Sequence, residues 1–121
     1  MKKILIIEDE AALQDALKKL FTGEGYEVAQ ALDGEEGIAM VASSKPDIIL
    51  LDLILPKKHG FDVLAEMQKS EEQKKIPVLV LTNLEESTEV MKAIELGARG
   101  YLVKANYALK DVLAKVKDVI G

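Results

Sequence analysis

The sequence of 121 residues contains no cysteine. Disulfides and thiolate metal sites are therefore excluded outright, and nothing about redox compartment is readable. It holds a single histidine, His59, so the His and Cys ligands that favour zinc are missing too. Long hydrophobic runs are also missing. Met1-Lys2-Lys3 could open a signal peptide, but the apolar stretch behind it, Ile4 to Ile7, runs straight into Glu8-Asp9-Glu10. That is too short for a signal core, and no other run approaches membrane-spanning length. A cytoplasmic location without membrane contact is expected. A basic face is lacking as well. The net charge is −5, the lysines are scattered, and a chain that wraps nucleic acid needs concentrated positive charge. Direct nucleic-acid binding is not expected.

Nearly half the residues are apolar (49%) and 31% are charged, the balance of a globular protein. The length fits one domain spanning 1–121. Short apolar runs alternate with amphipathic stretches. Ile4 to Ile7 reads as a buried strand. Leu13, Ala16, Leu17, Leu20 and Phe21 then share one helical face. Gly23 and Gly25 stop that helix. Glu27 to Ala31 is a weaker strand. Asp33 with Glu36 has the form of a capping box at the start of a helix running to about Ala42. Asp47 to Asp52 is the most apolar strand and ends in a carboxylate. A third helix covers about Phe61 to Lys69 after Gly60, followed by a charged, exposed loop from Ser70 to Lys75. Pro77 to Leu81 is a strand with proline at its first position. Glu85 to Leu96 is a helix ended by Gly97, Gly100 to Val103 a strand. A last helix, with Leu109, Val112, Leu113, Val116 and Ile120 on one face, is expected to be capped by Asn106.

Strict strand–helix alternation predicts α/β architecture with a parallel sheet covered on both faces. About five units are too few for a closed eight-unit barrel. The expected fold is a doubly wound, flavodoxin-like (βα)5 sandwich with strand order 2-1-3-4-5. In such sheets ligands lie beyond the carboxyl ends of the strands. There the sequence places Glu8 and Asp9, then Asp52, Thr82 and Lys104. Taken singly, each has an ordinary explanation as a cap, a backbone bonder or a surface charge. Their coincidence at four strand ends points to chemistry. Three crowded carboxylates resist ionising together, and a hard cation such as Mg²⁺ relieves them. One of the three can then act as an oxygen nucleophile toward phosphorus.

These residues, read with their neighbours in DLILP, PVLVLT and GARGYLVK, make the chain resemble a response-regulator receiver domain over essentially its whole length. The resemblance implies that Asp52 accepts a phosphoryl group from a histidine kinase or phosphotransfer protein. It implies Mg²⁺ held by Asp9 and Asp52, by Glu8 through water, and by the backbone carbonyl of Ile54. Lys104 would offset phosphoryl charge, and Thr82 with Tyr101 would form the switch pair. A downstream partner would meet the fourth helix, fifth strand and fifth helix, where Lys92, Glu95, Arg99, Tyr101, Tyr107 and Lys110 lie. The chain reaches Gly121 directly after the fifth helix, as either a stand-alone receiver or part of a longer regulator would.

Several positions depart from the family. Lys104 is followed by Ala105 instead of the usual proline, and a cis bond there would cost roughly 3 kcal/mol. Asn83 follows Thr82 where a small residue is common. Ile54 and Leu84, each two residues beyond a site residue, carry no group to orient an attacking water, so slow self-dephosphorylation is expected. Lys57-Lys58-His59 replaces a segment that is often acidic. It reads as a solvated loop, or as a local positive field for an anionic donor; His59 alone is neither ligand nor phosphoacceptor. Two other classes compete. A degenerate receiver that only binds partners would normally have lost Asp52 or Lys104, and both are present. A small enzyme on the same fold would need different loops: a flavin site is opposed by Glu8-Asp9-Glu10, and an aspartate-based phosphatase would want an Asp where Ile54 stands.

Overall fold

The computed structural model describes residues 1–82, 87–103 and 108–121. The elements run β1 (Lys3–Ile7), α1 (Ala11–Gly23), β2 (Glu27–Ala31), α2 (Gly34–Ser44), β3 (Ile48–Asp52), α3 (Gly60–Gln68), β4 (Val78–Thr82), α4 (Ser87–Glu95), β5 (Gly100–Val103) and α5 (Leu109–Ile120). The five strands are parallel in the order β2-β1-β3-β4-β5. This is the expected doubly wound sheet.

The alternation of side chains along each strand divides the core in two. Leu5, Ile7, Ile49, Leu51, Val78 and Val80 face Val41 of α2 and Val63, Leu64 and Met67 of α3. Ile4, Ile6, Ile48, Leu50, Leu79 and Leu81 face Leu17 and Phe21 of α1 and Val112 and Val116 of α5. β3 is central and buried at every position, which is why it reads as an unbroken apolar run instead of an alternating one.

Helix ends fix the crossovers. α1 closes with Gly25 at φ 89°. The N–H of Gly25 donates to Thr22 (3.1 Å) and that of Tyr26 to Phe21 (3.0 Å), the paired bonds of a Schellman end. The Phe21 and Tyr26 rings meet edge-on, 5.7 Å apart, the apolar contact that accompanies this motif. α4 ends the same way around Gly97 (φ 104°), with Gly97 donating to Ile94 (2.9 Å) and Ala98 to Ala93 (3.0 Å). Asp33 caps α2 as predicted, its Oδ1 accepting from the N–H of Glu36 at 2.8 Å. Glu36 reaches one residue further back than a capping box requires, accepting from the N–H of Leu32 at 3.0 Å.

Three expectations need correction. The N-cap position of α5 is not that of Asn106, which lies outside the described residues. The helix begins at Leu109 with Ala108 at its N-cap, and the reaching carboxylate is that of Asp111, which accepts from the N–H of Ala108 at 2.8 Å. An acid in the first turn does the work sought from a side chain at the cap. The charged stretch Ser70 to Lys75 is not wholly irregular: Gln73–Lys75 form one 3₁₀ turn before β4. α2 also outruns its expected end at Ala42, continuing to Ser44.

Among the described residues, two that are not glycine adopt positive φ, Lys45 (48°) and Lys57 (66°). Lys45 is exposed and stops α2 in the left-handed region, where a Cβ is strained by about 1 kcal/mol or more. Glycine escapes that strain but loses more entropy on folding. Lys45→Gly is expected to raise stability by about 0.5 kcal/mol, seen as a higher urea midpoint with an unchanged slope. A lowered midpoint would mean that the Lys45 side chain contributes more than its backbone strain costs.

Candidate functional site

Parallel pairing sends every strand's carboxyl end to one edge, and the register sets which residues meet there. Ile7 lies beside Ala31 on one side and Leu51 on the other, so the residues just beyond Ile7 emerge next to Asp52. Glu8, Asp9 and Asp52 each offer an oxygen, and these atoms lie within 4.8 Å of one another. Glu8 is fully buried and Asp52 is 5% exposed, whereas Asp9 faces solvent. Buried carboxylates need hydrogen bonds or counter-charge. The N–H of Ile54 donates to Asp52 Oδ1 at 3.2 Å, and the N–H of Glu10 to Glu8 Oε2 at 3.4 Å.

The segment after Asp52 is held closely. The N–H of Gly60 donates to Leu53 O at 2.9 Å. A Cβ on Gly60 would stand 2.5 Å from Asp52 O and 2.7 Å from Leu53 Cα, so α3 starts against this strand end only because residue 60 has no side chain. Ile54 is half-exposed at the mouth of the cluster. Lys57 pairs with Asp33 on the neighbouring loop (3.7 Å), and His59 immediately precedes α3, its N–H donating to Asp62 Oδ2 at 3.0 Å. His59 is not among the clustered ligand candidates.

The other expected site residues divide as follows. Thr82 ends β4 opposite Val103, one step past the Asp52–Leu81 pair; its side chain lies outside the described atoms. Tyr101 lies on β5 beside Val80 with 47% of its surface exposed. Lys104, Ala105, Asn83, Leu84 and Tyr107 lie outside the described residues, and with them the geometry of the Lys104–Ala105 bond.

One residue at this edge escaped sequence reasoning. Gln14 is 3% exposed, on α1, in helical phase with buried Leu17 and Phe21. Its Nε2 lies 2.9 Å from Ile6 O, 3.1 Å from Glu8 O and 2.9 Å from Ala31 O. Its Oε1 accepts from Gln30 Nε2 at 2.8 Å. The signal was a glutamine at a core position of an otherwise apolar helical face, just after the acidic pair.

The donor set is all oxygen, which suits a hard divalent cation. Two direct ligands of Mg²⁺ lie at most about 4.2 Å apart. Oxygens of Glu8, Asp9 and Asp52 within 4.8 Å of one another lie close to that spacing. Two ionised carboxylates at this spacing repel by roughly 3 kcal/mol at an effective dielectric of 20, less where Asp9 meets solvent. The arrangement can thus gather a cation and present a carboxylate oxygen to an electrophile.

Comparison with known proteins shows the family. The family model described as the response regulator receiver domain matches residues 4–117. The "DNA-binding dual master transcriptional regulator RpaA" of Synechocystis sp. is 38% identical over 120 residues, covering 99% of this chain and 49% of that protein. "Response regulator MprA" of Mycolicibacterium vanbaalenii is 30% identical, covering 98% and 50%. The chain thus spans about half the length of these relatives. The acidic charge balance speaks only for the residues present, and the expectation of no nucleic-acid contact has no support from relatives that include a DNA-binding regulator. Among solved structures, chemotaxis response regulator CheY4 of Vibrio cholerae superposes with a TM-score of 0.92 at 27% identity, covering 99% of both chains. The Mn²⁺-bound form of response regulator Rcp1 gives 0.82 at 33% identity, covering 98% and 91%. Among the described residues no helix is long and apolar enough to cross a membrane. The chain belongs to the response regulator receiver domains of two-component systems.

Proposed function

We propose that residues 1–121 form one receiver domain, a cytoplasmic signalling switch that accepts a phosphoryl group on Asp52 from a histidine kinase or phosphotransfer protein, with Mg²⁺. The observation that carries this reading is the convergence of Glu8, Asp9 and Asp52 within 4.8 Å at the carboxyl edge of the sheet. Asp9, Asp52 and the carbonyl of Ile54 would hold the cation directly and Glu8 through water. Its chemistry there is to offset charge on the carboxylates and on the incoming phosphoryl oxygens. The Mn²⁺-bound Rcp1 structure, 33% identical, supports a divalent-cation site.

In the transfer, an Asp52 carboxylate oxygen forms a bond to phosphorus as the phosphorus–nitrogen bond of the donor phosphohistidine breaks. The imidazole nitrogen keeps the electron pair, and an acyl phosphate is left on Asp52. Lys104 would place an ammonium against the phosphoryl oxygens. Thr82 would donate its hydroxyl to one of them, drawing the loop after β4 toward the site. The ring of Tyr101, half-exposed here, would turn inward into the space released. Phosphorylation then selects between two packings that both exist beforehand. The partner face is that of α4, β5 and α5, where Met91 (60% exposed), Ile94 (45%) and Tyr101 (47%) leave apolar surface in solvent, among the exposed charges of Lys92, Glu95, Arg99 and Lys110. The chain would catalyse only its own phosphoryl transfer and a slow self-dephosphorylation.

Incubation with Mg²⁺ and acetyl phosphate is expected to add one phosphoryl group to the parent chain and none to Asp52→Ala, read by intact mass. Failure with acetyl phosphate and with a cognate kinase alike would favour a receiver-shaped binding module instead. The phosphoryl group is expected to last minutes or longer, because half-exposed Ile54 cannot orient water; a half-life of seconds would overturn this. In EDTA, Asp9→Asn is expected to melt above the parent, by the equivalent of about 1 kcal/mol of relieved repulsion. With Mg²⁺ at ten times its Kd the parent should gain about 1.4 kcal/mol and the variant much less. Equal Mg²⁺ responses would remove Asp9 from the ligand set.

A further inference from the structure

Gln14 is a buried polar side chain on a helix that otherwise packs through Leu17 and Phe21. Burial of an amide costs free energy unless its hydrogen bonds are met, and here they are met entirely by the end of the sheet. Its NH₂ group faces three carbonyls, those of Ile6, Glu8 and Ala31, at 2.9, 3.1 and 2.9 Å. That fixes the amide's orientation, since the opposite one would set its oxygen against three oxygens. Gln30 secures the other end, donating from Nε2 to Gln14 Oε1 at 2.8 Å and to Gln14 O at 3.1 Å.

The position of these carbonyls gives the contact its meaning. β1 ends at Ile7 and β2 at Ala31, so Glu8 O lies just past the ladder. The N–H of Glu8 donates to Ala31 O at 3.0 Å, and Glu8 O receives the Gln14 amide. Glu8 is therefore held at both its backbone N–H and its carbonyl, and Ala31 O is shared between the two restraints. Glu8 and Asp9, the next residue, carry two of the three clustered carboxylates. We infer that Gln14 is a positioning residue for the cation site: it clamps the ends of β1 and β2 and so sets where the Glu8 and Asp9 carboxylates stand relative to Asp52. It touches neither cation nor phosphoryl group and acts through the Glu8 backbone. This rests on the cation-binding reading of the cluster proposed above.

The requirement is geometric. Ligand oxygens must be held within about half an ångström of the productive arrangement, and groups that orient ligands without touching the metal typically contribute 10- to 100-fold in affinity. An apolar residue of similar size at position 14 would fill the space but leave the Glu8 carbonyl unclamped.

The test is direct cation binding by the full chain, with Mn²⁺ as the probe and water-proton relaxation as the readout, beside urea unfolding. Gln14→Met is expected to weaken Mn²⁺ binding by about tenfold or more. Leu17→Val, on the same helix, is expected to lower stability and leave Mn²⁺ affinity within about twofold of the parent, the behaviour of a purely structural position. Parent-like Mn²⁺ affinity in Gln14→Met would overturn the inference while leaving the cation site intact. So would an affinity that falls in Leu17→Val as far as in Gln14→Met. If Gln14→Met does not fold, Gln30→Met is read instead: loss of affinity beyond about twofold supports the clamp, and parent-like affinity overturns it. No Mn²⁺ binding by the parent itself would overturn the cation reading and this inference with it.

Discussion

The structure turns on a carboxylate at the end of its most buried strand. β3 is covered on both faces, and Asp52 closes it with 5% of its surface exposed. A charge so placed is tolerable only at the strand's very end, where backbone N–H groups and solvent come within reach. Parallel pairing brings every other strand's carboxyl end to that edge, so Glu8 and Asp9 arrive beside Asp52 by topology. The fold thereby gathers three carboxylates at one edge of the sheet. A divalent cation would offset their charge, which is the physical basis of the cation site proposed above.

Contacts at both edges of the sheet hold the surrounding elements in place. Gly60 lets α3 begin against the Asp52 carbonyl. Asp33 caps α2 and also holds Lys57, which ties the loops after β2 and β3 together. At the opposite edge, where strands begin, Schellman ends on α1 and α4 turn the chain back into β2 and β5. Lys117 of α5 donates to Glu24, just past α1, at 2.8 Å. That hydrogen bond and the neighbouring carboxylate charge raise the Lys117 pKa above its ordinary value, a surface contact that adds little beside the apolar α1–α5 packing.

Much of this was legible in the string because the signals are local. Four-residue apolar runs, helical spacing and glycine stops are sequence-near, and β5 falls on the predicted residues, Gly100–Val103. The acidic trio was legible for a different reason: alternation implies a parallel sheet, and a parallel sheet has one carboxyl edge. What failed was what depends on distance. Asn106 was a sound cap by type, but the acid reaching back from Asp111 selects Ala108 instead, and nothing in composition ranks the two. Gln14 was invisible because its three acceptors are main-chain carbonyls from two strands, which carry no residue-type signature. The reach of Glu36 to Leu32 instead of Asp33 is likewise a matter of backbone path.

The same asymmetry of bracing bears on how a signal at Asp52 could leave the site. α1, α3 and α5 each bury two or more side chains, and α2 buries Val41 with Ile38 and Met40 packed beside it. Among the described residues of α4 only Ala93 is buried, and Met91 and Ile94 stand in solvent. The remaining hold on α4 is light. Leu96, just past its end, packs against the core, and the Lys92 ammonium sits 4.6 Å above the Phe61 ring, an exposed contact of roughly 0.5–1 kcal/mol. Moving an equilibrium from one side to the other takes about 5.5 kcal/mol of differential interaction. A phosphoryl group, with its charge and strong acceptors, can supply such a difference only if the element it moves gives up little when it shifts. On the phosphoryl-acceptor reading proposed above, α4 fits that requirement: it follows on the loop after β4, it exposes Met91 and Ile94, and among the described residues it buries only Ala93.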